Sequence, residues 1–345
     1  MDVHNFTVHT SLLFHNCEVR FIWGGMKMKK FIFVLFMCVL LLTGCSESRF
    51  TAINPHQSFV ASVNILQPSL TFFDQEAKRL ATWEFEVAYT GGTLIQHDRI
   101  LMYGHELTEA HLYELSTGKH IGTIDCGIGT TNAYYDQQSK QFFMTNSKSN
   151  TVTSYDIQGE KLHEQKLYNY PMSMVANDGY LYVINYKDTI LSMLDIGTLN
   201  VVDEWEIPKS SHGISILEEE NSVWIGGHGE GSKPNETIDV YHSTTGEKQS
   251  EIYMPLMPIG LTGKENEVAV ISHGTNMLYV ANTKGEVLWQ QKVGANPFVA
   301  AYFADYIVVA GYDDQTIYFL NEQGIVKEVQ TDKGPFQLFV REDMK

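Results

Sequence analysis

A hairpin signature recurs seven times along this chain at intervals of about 41 residues: an apolar strand, a polar turn that usually holds Gly, then a second apolar strand. The copies are Leu70 to Asp74 before Gln75-Glu76-Ala77, Leu112 to Leu115 before Gly118, Val152 to Asp156 before Gly159, and Ile190 to Asp195 before Gly197-Thr198. Ile238 to Tyr241 precedes Gly246, Met277 to Val280 precedes Gly285, and Ile317 to Leu320 precedes Gly324. Gly118 and Gly159 are 41 residues apart, and Gly246, Gly285 and Gly324 follow one another at 39. A unit of that length made of short strands cannot bury its own faces. Stacking against its neighbours does so, and the result is a radial β-array.

Each unit divides into four strands, a to d. In the fourth, a is Met172 to Ala176, the turn is Asn177-Asp178-Gly179, b is Tyr180 to Asn185, c is Ile190 to Leu194 and d is Asn200 to Ile207. Asn-Asp-Gly between two alternating apolar runs is a strong hairpin signal. The other units start near Ala88, Gly129, Tyr170, Ser211, Leu256 and Asn296. The first unit supplies only b, c and d, at Phe59 to Val63, Ser69 to Phe73 and Arg79 to Glu86. Its missing strand a lies at the other end, where Gly334-Pro335-Phe336-Gln337-Leu338-Phe339 repeats the pattern of Asn296-Pro297-Phe298-Val299-Ala300. A C-terminal strand that completes the first blade removes an exposed sheet edge. The expectation is an all-β, seven-bladed β-propeller over residues 59–340, with a short tail at 341–345.

The segment before the repeats has another character. Met28-Lys29-Lys30 opens an apolar run from Phe31 to Leu42, twelve residues long, followed by Thr43-Gly44-Cys45. A basic start, a short apolar core and small residues before the cut are the parts of a secretory signal. Twelve residues are too few to span a hydrocarbon core, which takes about 20 in a helix. Leu42-Thr43-Gly44-Cys45 resembles the lipobox of bacterial lipoproteins. That resemblance implies a signal peptide over 28–44, acylation of Cys45, a lipidated tether over 45–58, and a place on the outer face of the cell membrane. Trp23-Gly24-Gly25 is encoded by TGG-GGN-GGN, which accommodates a ribosome-binding GGAGG just ahead of Met28. Residues 1–27 are therefore expected to be an over-extended gene start.

The whole chain has 24 basic and 41 acidic side chains. Removing residues 1–44 takes away four basic and two acidic ones, which leaves 20 against 39, a formal charge of −19. Such a surface repels phosphate backbones, so nucleic acid is not an expected partner. Of the four cysteines, Cys17 and Cys38 fall in the leader and Cys45 is the acylation site, leaving Cys126 alone. Neither an internal disulfide nor a Cys-His zinc spacing is available. Burial in the sheets must carry the stability.

Tyr180-Leu181-Tyr182-Val183-Ile184-Asn185, then Leu194-Asp195-Ile196-Gly197-Thr198 and Val201-Val202, resembles the YVTN β-propeller repeat family, marked by a Leu-Tyr-Val-x-Asn strand and an Asp-x-x-Thr turn. The likeness is close in the fourth unit and loose over residues 59–340. One copy, Leu278-Tyr279-Val280-Ala281-Asn282, falls on strand c instead of b. The resemblance implies an exported binding or scaffold module, and says more of fold and location than of activity.

In an antiparallel blade the start of a and the end of b share one face of the disc. The ends of b are Asn64, His105, Ser147, Tyr186, His228, His273 and Tyr312, and His212 starts strand a of the fifth unit. Imidazoles at one channel mouth suit ligand hydrogen bonding, acid–base work or metal ligation. They equally suit a polar ring that only caps the barrel. His105, Tyr186, His212, His228, His273 and Tyr312 are the candidate ligand-binding residues. His212, His228 and His273 are the ones a divalent metal would use, with His105 across the channel; no cofactor is otherwise implied. The fifth unit also carries the longest insertion, Gly226 to Thr237, on this face. It lacks the Gly-Lys-Ser/Thr order of a phosphate loop. No Gly-x-Ser-x-Gly elbow occurs.

Three functions fit: a module that binds a small molecule, peptide or protein at the His-bearing face, a His-dependent lyase or hydrolase at the same mouth, and a structural surface scaffold. The membrane, through the lipid on Cys45, is the one partner implied for all three.

Overall fold

A computed structural model describes residues 50–342 of the chain. The expected gene-start extension, signal peptide and acylated Cys45 lie outside the described residues. Residues 50–342 form a seven-bladed β-propeller of seven four-stranded antiparallel sheets, each in the order d-c-b-a, with one further small hairpin. In the first blade, Arg79–Glu84, Ser69–Phe73 and Phe59–Asn64 are joined by the C-terminal strand Pro335–Arg341. That strand runs antiparallel to b, with Val60 opposite Val340 and Ala61 opposite Phe339. The ring is closed as the sequence predicts.

Period-two alternation explains how the blades hold together. Successive side chains on a strand point to opposite faces, and here both faces of a blade are covered by neighbours. Leu181 and Val183 pack toward blade three, whereas Tyr182 and Ile184 on the same strand pack toward blade five. Phe142 and Phe143 divide in the same way, as do Val223 and Trp224. The buried apolar residues fall into seven clusters, one at each seam between blades. This is why strands b and c read as continuous apolar runs. Strands d are edges and read otherwise: Lys161–Lys166 is almost wholly exposed and polar, a composition that blocks pairing with another chain.

The hairpin between c and d needs one residue in left-handed backbone. Gly118, Gly159, Gly246, Gly285 and Gly324 supply it, at φ between 65° and 107°. In blade one the position is held by Ala77 (φ 60°), and in blade four by Leu199 (φ 57°) rather than Gly197. Leu199 is fully buried, so burial offsets the roughly 1–2 kcal/mol that this backbone costs an L-residue.

Two sequence-based boundaries are corrected. Residues 50–58, expected as free tether, lie against blades one and two on the face opposite the a-starts. Phe50 stacks on Trp83 at 4.9 Å, Ile53 is buried, and the Phe50 and Ile53 N–H groups donate to Gly118 O and Leu115 O. Polar composition hid this because the segment bonds mainly through its backbone. Arg341, expected as tail, is only 1% exposed. Its guanidinium donates to the carbonyls of Asn54, Gln57 and His97 and lies over the Phe59 ring at 4.6 Å. Arg341 thereby joins the two ends of the described chain.

Replacing Arg341 with Leu removes the donor from those part-buried carbonyls. We expect a loss on the order of 3 kcal/mol, seen in calorimetry as a melting temperature lower by roughly 5–10 °C. An unchanged melting temperature would show that the clasp contributes nothing.

Candidate functional site

A repeated backbone bond brings the ends of b to the channel mouth. Ser147, Tyr186, His228 and His273 each donate N–H to the carbonyl of the residue that precedes strand a: Gly129, Tyr170, Ser210 and Met257, at 2.8, 2.9, 3.0 and 3.0 Å. Those four acceptors all have left-handed backbone, at φ 108°, 63°, 58° and 61°. Each d-to-a connection thus turns sharply, and its carbonyl pins the end of b beside it.

The start of strand a contributes through bulges. Pairing between a and b shifts from Ser211 to Gly213, from Pro297 to Val299, and from Pro335 to Gln337. His212, Phe298 and Phe336 are the extra residues. A bulge re-aims its side chain, and these three rings join the mouth. His212 was among the sequence candidates; Phe298 and Phe336 were not. The repeated Pro-Phe of 297–298 and 335–336 was the signal that marked them.

The rings make one unbroken row. Tyr170 and Tyr186 lie 5.9 Å apart by centroid, Tyr186 and His228 6.5 Å, His228 and His212 5.6 Å, His228 and His273 6.0 Å, and His273 and Phe298 4.5 Å. Phe298 then meets Tyr312 at 5.4 Å and Phe336 at 5.1 Å. Tilted and edge-on packing at these distances is what ring quadrupoles favour. Every member is half-buried. Five of the six sequence candidates are therefore brought together, on blades four, five, six and seven.

The imidazoles in the row are partly structural. His212 Nδ1 lies 3.3 Å from Ile259 O, and His273 Nδ1 lies 3.0 Å from Pro297 O, each a carbonyl of the next blade. A carbonyl only accepts, so both Nδ1 atoms carry a proton and donate it. Thr131 and Ser173 stitch blades in the same way, to Pro171 O and His212 O. His228 differs, because its Nδ1 is buried without a partner. Burial, with smaller contributions from His212 and His273, pushes the His228 pKa down to about 4. Burial also lowers that of His212. Among the described residues no three His, Cys, Asp or Glu side chains are grouped to hold a metal ion. The three imidazoles form a row instead of converging on a point.

His105 stands apart, on blade two. Its Nδ1 bonds Glu106 Oε1 at 2.7 Å and its Nε2 meets Ser147 Oγ at 3.2 Å. Nothing in the spacing of the repeats pairs it with a carboxylate, since the partner is simply the next residue. The blade-five insertion does lie on this face, where it forms the small hairpin Gly229–Glu230 with Lys233–Pro234. Its base is pinned by Asn235 N to His228 O and by Met257 N to Asn235 O, and its tip by Lys209 to Glu230 at 3.4 Å.

No protein-family profile and no curated protein sequence matches the chain. Solved structures do. A functionally unknown protein from Desulfotomaculum acetoxidans aligns with a TM-score of 0.72 at 10% identity, over 84% of this chain and 100% of that one. Dihydro-heme d1 dehydrogenase NirN in complex with DHE gives 0.62 at 13%, over 85% and 67%. BamB from Moraxella catarrhalis gives 0.55 at 13%, over 76% and 81%. At these identities the likeness concerns the propeller fold.

A pH dependence follows from His228. Its folded pKa lies below the unfolded value of about 6.5, so folding favours the neutral ring. That contribution is complete above roughly pH 6.5 and is lost as pH falls toward about 4. His228→Phe should shrink the drop in melting temperature between pH 7 and pH 4 by a few degrees, measured by circular dichroism. An equal drop in both proteins would refute the assignment.

Proposed function

We propose that this chain is a lipid-anchored, extracytoplasmic propeller of the YVTN type that binds a small molecule or a polypeptide segment at its ring-lined mouth. One observation carries the reading: an unbroken row of half-buried rings, Tyr170 to Phe336, on a single face of a rigid disc. Contiguous apolar surface at a concave mouth marks binding sites. The imidazoles add hydrogen-bonding atoms, and burial favours the neutral ring at His212 and His228. NirN, a propeller of similar fold, is described with DHE bound, which is consistent with a ligand on such a scaffold. Membrane attachment rests on the lipobox-like Leu42-Thr43-Gly44-Cys45.

Two experiments test the two halves. Saturation-transfer NMR of the purified protein against aromatic fragments should yield binders that weaken about fivefold or more in Tyr186→Ala and Phe298→Ala. If no fragment depends on either ring, the mouth is not a binding site. In cells fed a clickable fatty acid, the native chain should be labelled and Cys45→Ser should not, with the variant released to the medium. Labelling that survives the substitution would remove the anchor.

A further inference from the structure

On the sector of the mouth away from the row, three side chains stand in relay. Ser147 ends strand b of blade three, held there by its N–H to Gly129 O. His105 ends strand b of blade two, with its N–H on Thr90 Oγ1 at 3.1 Å. Glu106 Oε1 accepts from His105 Nδ1 at 2.7 Å, and His105 Nε2 lies 3.2 Å from Ser147 Oγ. The carboxylate can only accept, so it fixes the imidazole proton on Nδ1. Nε2 is left as the acceptor facing the serine hydroxyl. Hydroxyl, imidazole and carboxylate in this order, at these distances, define an activated nucleophile by geometry and role, whatever the fold or sequence spacing.

We propose that Ser147, His105 and Glu106 form a serine-esterase centre that takes carboxylic esters. Ser147 Oγ attacks the ester carbonyl carbon as its proton passes to His105 Nε2. The resulting imidazolium is held by Glu106. Collapse breaks the bond to the alcohol oxygen, which leaves with the proton from Nε2, and an acyl group stays on Ser147. Water then attacks the acyl carbon, gives a proton to Nε2, and releases the acid as Ser147 recovers its own proton. Lys148 follows Ser147 directly, and its stem lies against Gly129, where an added Cβ would be 2.4 Å from Lys148 Cγ. Two features limit the rate. Ser147 Oγ is also 3.1 Å from Gly129 O, a competing acceptor, and the Glu106 side chain is 81% exposed, which weakens its hold on the imidazolium. Activated esters, whose alcohol leaves readily, suit such a centre better than amides. This centre does not depend on ligand binding by the aromatic row.

The full chain is treated with a fluorophosphonate probe, and its hydrolysis of p-nitrophenyl acetate is followed. The probe should label Ser147, as located by peptide mass spectrometry. Ser147→Ala and His105→Gln should each lower kcat/KM at least about a hundredfold, and Glu106→Gln roughly tenfold. Ser147→Cys, close in size, serves as the folded control: it should take up the acetyl group as a thioester at Cys even where Ser147→Ala is unstable. Label on another residue, undiminished hydrolysis by folded Ser147→Ala, or no acetyl uptake by folded Ser147→Cys would overturn the proposal. Fragment binding that fails while esterase activity stands would sink the row and not the centre.

Discussion

Every blade buries both of its faces, and the remaining architecture follows from that. With side chains alternating along a strand, a central strand feeds two seams at once, so neither blade at a seam has a core of its own. Removing Trp224, fully buried, would open the seam with blade six, while its neighbour Val223 serves the seam with blade four. Burying one such side chain is worth roughly 1.5–3 kcal/mol. Seven seams of that kind make the disc stiff, and stiffness allows strained backbone at the mouth to persist. Tyr170, Ser210 and Met257 keep left-handed φ values because the strands on either side of them have nowhere else to go.

The mouth is then built from departures from regularity. Bulges at His212, Phe298 and Phe336 release one side chain each from the ladder, and the left-handed carbonyls hold the ends of b beside them. The two sectors differ in chemistry as a result. Blades four to seven, with the closing strand of blade one, present phenyl, phenol and imidazole rings. Blades two and three present a hydroxyl, an imidazole and a carboxylate. Tyr103 contributes on this second side as well: burial pushes its phenol pKa up and keeps it neutral, and its ring fills the space left open by Gly91.

Most of the ring was legible in the sequence, and the reason is physical. Strand pairing with period two and a c–d turn that holds Gly in five of the seven blades leave a pattern that composition alone cannot imitate. The positions at the ends of b followed from topology, so His228, His273, Tyr186 and Tyr312 could be placed on one face. Phe298 and Phe336 escaped because a bulge is a shift in pairing and leaves no residue signature beyond the proline before it. The strap over residues 50–58 escaped because its bonds are mainly backbone bonds. Gly197 was misjudged because a buried leucine two positions later takes the turn conformation. The pairing of His105 with Ser147 spans two blades, and only the closeness of their loops brings it out.

The clasp made by Arg341 gives the ring a property that no single blade has. Phe50 to Gln57 and the last strand are tied to one another and to the a–b and c–d turns of blade two, on the face away from the mouth. Pulling the closing strand out of blade one would therefore free the strap as well, so the first and last segments of the described chain come loose together.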